Sequence, residues 1–132
     1  MDLEILHIAA DTKNNREIKN FTHKSKFKSQ LCGDEIEISL IIKDQKILDM
    51  GYQCKSCIYC QASVSLLSEK SMNKSLIKIK DLLEIAINFF DKEKSLFPEE
   101  WQVFKKIFNN KNISRKECLL LPFKALAKAL KL

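Results

Sequence analysis

Hydrophobic and polar positions change rhythm partway along this 132-residue chain. In the first half, Glu35-Ile36-Glu37-Ile38-Ser39-Leu40 alternates with period two and Ile41-Ile42 extends the run, as a half-buried strand does. Lys43-Asp44-Gln45 reads as a turn and Lys46 to Tyr52 as the returning strand of an antiparallel hairpin. The turn lacks Asn-Gly or Asp-Gly, so the register is left open. Leu3 to Ala10 is a short apolar stretch suited to a first helix, with His7 on or near its buried face as a packing or surface residue. The span Asn14 to Gln30 is polar and yields no clear element, with Phe21 and Phe27 as candidate strand contacts.

After Cys57 the spacing becomes helical. Ile58, Ala62, Leu66 and Leu67 share one helix face running to about Lys70, and Ser71-Met72-Asn73-Lys74-Ser75 breaks it. A second helix is predicted over Ile79 to Phe90, with Leu82, Leu83, Ala86, Ile87 and Phe90 at helical spacing. Pro98-Glu99-Glu100 has the proline and acids favoured at a helix start, so a third helix should follow and carry Trp101, Phe104 and Phe108. The last helix begins at Ser114 or later. Its apolar face is Leu119, Phe123, Leu126, Ala127 and Leu130, its wet face Lys124, Lys128 and Lys131, and Pro122 falls in its first turn or kinks it. Strands first and helices after predict an α+β fold, a small antiparallel sheet packed against several helices. With no repeat, low-complexity tract or linker, residues 1–132 are expected to form a single domain.

Composition narrows the class. At 45% hydrophobic and 30% charged residues the chain reads as globular rather than disordered. No apolar run reaches the roughly 20 residues of a membrane span, and Met1-Asp2-Leu3-Glu4 lacks the layout of a secretory signal, so a cytoplasmic protein without a membrane partner is expected. The net charge of +6 comes from lysines scattered among acids. Only Lys24-Ser25-Lys26-Phe27-Lys28 clusters, and it reads as the solvated face of a strand or loop, so no nucleic-acid partner is expected.

Five cysteines, an odd number in a chain without a signal, favour free thiols, metal ligands or sulfur chemistry over a disulfide framework. Cys32 and Asp34 precede a predicted strand, Cys57 falls where the hairpin ends and a helix starts, and Cys118 lies near the start of the last helix. Thiolates so far apart in sequence share a metal only if folding brings them together. Cys54, Cys57 and Cys60 also spell C-x2-C-x2-C. The fourth cysteine of a ferredoxin run is absent, and no thioredoxin-like βαβ context surrounds the pair Cys54-Cys57. Cys60 reads as a small, partly buried residue. Cys54 is open to a role as alternative ligand or sulfur relay. His23 lies in a segment that does not fix its distance from any of these, and Trp101 and Phe104 read as packing residues.

Leu31-Cys32-Gly33-Asp34, the strand pair, the Asp49-to-Cys57 segment, Ala62-Ser63-Val64-Ser65 and Arg115-to-Cys118 followed by Phe123-Lys124-Ala125-Leu126 resemble, in that order, the U-type iron-sulfur cluster assembly proteins, the IscU, SufU and NifU N-terminal family. The resemblance covers roughly Ser29 to the end of the chain. It implies a compact α+β domain with a metal and sulfur site at one end. By motif, Cys32, Asp34, Cys57 and Cys118 match the family's three ligand cysteines and its aspartate, a set that suits zinc, with the carboxylate as the easiest ligand to exchange. Glu117 before the third cysteine, the long interval from Cys57 to Cys118, and Arg115 resemble the SufU branch. The function so implied is that of a zinc-bound acceptor of persulfide sulfur from a cysteine desulfurase, with Cys32 as the acceptor and with Cys54 and Arg115 as accessory residues. Whether this makes the protein a sulfurtransferase-type enzyme is left open. The alternative is a non-enzymatic scaffold that binds iron, builds a [2Fe-2S] cluster on Cys32, Cys57 and Cys118, and passes it to apo iron-sulfur recipient proteins. Cys54 and Ser56 stand where the family commonly has glycine.

Overall fold

The computed structural model describes residues 2–31, 33–91 and 96–132. Cys32, the proposed sulfur acceptor and ligand, lies outside the described residues. The fold is α+β. Helix α1 (Leu3–Ala9) leads into strands β1 (His23–Lys28), β2 (Glu35–Lys43) and β3 (Lys46–Lys55). Helices α2 (Ile58–Ser71) and α3 (Leu76–Asn88) follow, then two 3-10 segments (Glu99–Lys106 and Asn110–Arg115) and helix α4 (Lys116–Ala129).

The strands form an antiparallel sheet in the order β1-β2-β3. The alternation of β2 sends Ile36, Ile38 and Leu40 inward, opposite Cys54, Tyr52 and Met50 of β3. Helix α4 packs on β1 and β2, and α2 on β3. The hairpin turn is made by Asp44 and Gln45, both in the left-handed region (φ 53° and 62°), the pairing whose twist matches two-residue hairpins. The register shifts between Ile41 and Ile42, so Ile41 pairs with Asp49 and Ile42 with Ile47, and Leu48 is left over as a bulge.

The segment after α1 crosses β3. The Tyr52 amide donates to the Asn14 carbonyl (3.1 Å), Ile18 is buried and its amide donates to Ser39 Oγ (3.0 Å), and Arg16 pairs with Asp49 at 2.6 Å. The crossing is so close that a Cβ on Gly51 would collide with the Arg16 carbonyl oxygen. Only glycine fits there without movement.

Helix α2 is central. It buries residues on nearly every side, including Ser63, Ser65, Ser68 and Ser71. Small side chains let neighbouring elements approach, and their hydroxyls need partners once buried. Ser63 donates to the Leu119 carbonyl (2.6 Å), Ser65 to the Asp11 carbonyl (2.8 Å) and Ser68 to the Ser65 carbonyl (2.9 Å). A cluster of Phe89, Phe97, Trp101, Phe104, Phe108 and Phe123 fills the space between the 3-10 segments and α4.

Several sequence expectations are corrected here. The polar span before the hairpin contains β1, an edge strand whose lysines face solvent while Ser25 is buried and bonds the Ala125 carbonyl. His7 is exposed; in a helix of seven residues only Ile5 and Ala9 are buried. The third helix is 3-10 rather than α and is broken at Trp101 (φ −114°, ψ 15°), with Trp101 and Phe104 both buried. The helix predicted from Ile79 starts at Leu76, where Ser75 caps the Lys78 amide. Pro122 lies inside α4 beyond its first turn, where it has no amide to give to the helix ladder.

Candidate metal centre

Three elements converge at one end of the sheet. Asp34 comes just before β2, after a turn closed by the Ser29 amide donating to the Asp34 carbonyl (2.8 Å) and the Gly33 amide donating to the Ser29 carbonyl (3.1 Å). Gly33 takes φ +75°, a conformation glycine adopts without strain. Because Glu35 pairs with Lys55 across the sheet, the end of β3 lies beside Asp34, and Cys57 follows as the N-cap residue of α2. Cys118 lies in the first turn of α4.

One ligand atom each from Asp34, Cys57 and Cys118 lies within 4.8 Å of the others. Around a tetrahedral metal with bonds of about 2.0–2.3 Å, neighbouring donors sit about 3.3–3.8 Å apart, so this set is close to binding separation. Asp34 is buried (8% exposed), and its Oδ2 accepts the Cys57 amide hydrogen at 3.3 Å. None of the ion pairs among the described residues includes it. A buried carboxylate that accepts an amide hydrogen and has no ion pair among the described residues is costly unless a positive partner arrives. The amide ends of two 14-residue helices also point to this place, a setting favourable to negative donors and their cargo. Two soft donors and one hard donor therefore fit zinc or iron.

Arg115, the residue before α4, places its guanidinium 5.3 Å from the ring centre of Tyr59 in the first turn of α2. This contact ties together the two helix starts that carry Cys57 and Cys118. Sequence reasoning selected Arg115 but not Tyr59, for which no motif gave a signal. Glu117 pairs with Lys124 at 3.6 Å. His23 pairs with Leu40, at the far end of β1 from Lys28 and Glu35, so it is remote from the site.

Strand β3 runs three residues past Tyr52, where the sequence pattern had stopped, and carries Cys54 on its helix-facing side opposite Ile36. Burial pushes the Cys54 thiol up, and the charges of Asp34 and Cys57 act in the same direction. Cys60, fully buried on α2, is pushed up further by the same desolvation. Ser56 Oγ is buried without a well-formed hydrogen bond, yet close enough to both thiols to offset part of that rise.

Among the described residues no helix is long and apolar enough to cross a membrane. Residues 3–96 match the model of the NifU-like N-terminal domain, a stretch that ends before Cys118. An uncharacterized protein of Borreliella burgdorferi is 34% identical over 115 residues, covering 85% of this chain and 74% of that protein. The iron-sulfur cluster assembly scaffold protein IscU of Thermotoga maritima is 29% identical, covering 96% of this chain and 89% of its own. Two crystal structures share the fold with a TM-score of 0.90. One, at 24% identity, is a Fervidobacterium islandicum protein assigned to the SUF system as an iron-sulfur cluster assembly scaffold, and it aligns over 98% of this chain and 96% of its own. The other, at 18% identity, is the N-terminal part of a NifU-like protein from Brucella abortus, aligned over 98% and 91%.

Proposed function

Because this chain belongs to the NifU-like N-terminal domain family, we propose that it acts in iron-sulfur cluster assembly as a zinc-bound acceptor of persulfide sulfur from a cysteine desulfurase. All 132 residues then form one assembly domain, with α4 supplying a ligand from beyond the matched stretch. The observation that carries this reading is the buried Asp34 carboxylate, which has no ion pair among the described residues and faces Cys57 and Cys118. In the proposal Asp34, Cys57, Cys118 and Cys32 hold the metal, Cys32 accepts the sulfane sulfur, and Arg115 holds the helix starts or meets the partner. The hard carboxylate is the ligand most easily displaced from a thiophilic metal, which frees a position for incoming cargo.

The names of two relatives favour a second reading. The Thermotoga maritima protein is called a scaffold, and the Fervidobacterium islandicum protein is assigned as one. In that reading a [2Fe-2S] cluster is built on the same donors and passed to apo-proteins. Anaerobic purification with Zn, Fe and sulfide counted per chain, then addition of desulfurase and cysteine with intact-mass detection, separates the two. Zinc with a persulfide on Cys32 supports the acceptor; iron and sulfide in equal amounts with visible absorption support the scaffold. A protein that holds neither metal nor sulfur overturns both.

A further inference from the structure

Two of the three donors in the site are closed off from solvent: Cys118 is 4% exposed and Asp34 8%. A metal or a sulfur group reaches them only if part of the wall moves, and the contact between α2 and α4 changes character along its length. Ser63 on α2 holds the Leu119 carbonyl from inside the core. One turn nearer the mouth on each side, Tyr59 holds Arg115, with the guanidinium 5.3 Å from the ring centre. Arg115 is exposed and Tyr59 half-buried, so this outer contact can part without opening the core. The chain is also weakly tied at that point. Arg115 is the junction between the 3-10 segment Asn110–Arg115 and α4, its φ of −111° and ψ of 16° lie outside regular helical values, and its side chain caps no amide. Pro122, without an amide for the ladder, follows one turn after Cys118.

From this arrangement we propose that Tyr59 is a positioning residue, the catch that holds the first turn of α4 closed over Cys118 through its contact with Arg115. The inference rests on the reading of Asp34, Cys57 and Cys118 as a metal centre, and it adds how that centre opens. With Arg115 on the ring, the starts of α2 and α4 stay together, Cys57 and Cys118 keep their separation, and Cys118 stays covered. When Arg115 leaves the ring, the first turn of α4 swings about the junction at Arg115 while Ser63 and Leu119 stay bonded. Cys118 then faces the mouth, where a metal can leave and a new ligand can approach. The guanidinium suits this duty, because it stacks on the ring when closed and keeps its charge in water when open. An aliphatic side chain at position 59 would give the cation nothing to stack on.

The first arm of the test reads opening without any metal. Reduced, metal-free full-length chain is treated with iodoacetamide under argon, and alkylation of Cys118 and Cys60 is followed by peptide mass. Cys60 is fully buried on α2, so it reports general loosening within the same sample. Tyr59→Leu and Arg115→Gln are expected to speed Cys118 alkylation about two- to fivefold, the range for one exposed cation–π contact, with Cys60 unchanged. Tyr59→Phe keeps the ring and should behave as wild type. The double variant Tyr59→Leu, Arg115→Gln should be no faster than either single one, because both changes remove the same contact. In the second arm, zinc-loaded chain is mixed with excess chelator, and zinc should leave Tyr59→Leu and Arg115→Gln faster by the same factor. Cys118 alkylation unchanged in Tyr59→Leu, a rise shared by Cys60, or additive effects in the double variant overturns the inference. The expected alkylation pattern in proteins that bind no zinc supports the catch and counts against the metal reading alone.

Discussion

Ser63 on α2 donates a 2.6 Å hydrogen bond to the carbonyl of Leu119, the residue after Cys118 on α4. Both groups are buried. The bond sets how closely the helix that begins at Cys57 approaches the helix that begins near Cys118, so it fixes the spacing of two site donors from within the core.

Replacing Ser63 with alanine should therefore cost about 0.5–1.5 kcal/mol, the range for one buried hydrogen bond, since the Leu119 carbonyl keeps its helical partner. Ser63→Val should cost more, about 1–3 kcal/mol, because the added methyl groups must push the helices apart. Urea denaturation measures both. A Ser63→Val protein as stable as wild type would show that the helix contact is loose.

Gly51→Ala tests the strap that crosses the sheet. The new Cβ would overlap the Arg16 carbonyl, a backbone atom that cannot rotate away, so a loss of about 1–3 kcal/mol is expected. Urea denaturation again gives the number. Unchanged stability would mean that residues 14–18 do not hold the position described.

The same strap carries a pH-dependent contribution. The Arg16 guanidinium holds the Asp49 carboxyl below its usual value of 3.8, against a smaller upward push from burial. A lowered folded-state value means that the stabilisation is fully present above the ordinary carboxylate range and is lost as pH falls through the lowered value. Both side chains are partly exposed, so the pair contributes no more than about 1 kcal/mol. Asp49→Asn should lower the melting temperature at pH 7 by a few degrees at most, and the gap to wild type should close in strongly acidic buffer. A gap that persists at low pH would assign the effect to packing.

How much of this was legible beforehand depends on the physical source of each signal. The β2 alternation is a direct print of one buried and one outer face, so the hairpin could be read from it. Strand β1 was legible only as a solvated strand or loop face at Lys24 to Lys28, because an edge strand with lysines outward and Ser25 inward shows little apolar alternation. Its inward serine is explained only by Ala125, a hundred residues later. Helix α2 looked one-sided because its buried serines count as polar until their partners are known. For the site, the ordered motifs selected Asp34, Cys57 and Cys118, which folding places together. They were silent on Tyr59, which matters only through the distant Arg115, and on Cys54 as a strand residue, since the alternation fades before the strand ends.

The donor set makes a final, graded prediction. Cys57 and Cys118 offer soft sulfur, whereas Asp34 offers a hard oxygen and also receives the Cys57 amide hydrogen. Cys57→Ser or Cys118→Ser should cut zinc affinity at least about 100-fold, because serine is not ionised at neutral pH and is a poor ligand for zinc. Asp34→Asn keeps an acceptor for the Cys57 amide while removing the negative charge, so affinity should fall less, about tenfold, and the buried carboxylate's cost in the metal-free protein should disappear. The metal-free Asp34→Asn protein is thus expected to be more stable than metal-free wild type, and the zinc-loaded proteins should show the opposite order. Chelator competition measures the affinities, and thermal melts with and without zinc measure the stabilities. An Asp34→Asn protein less stable in both states would place the role of Asp34 in the turn rather than at a metal.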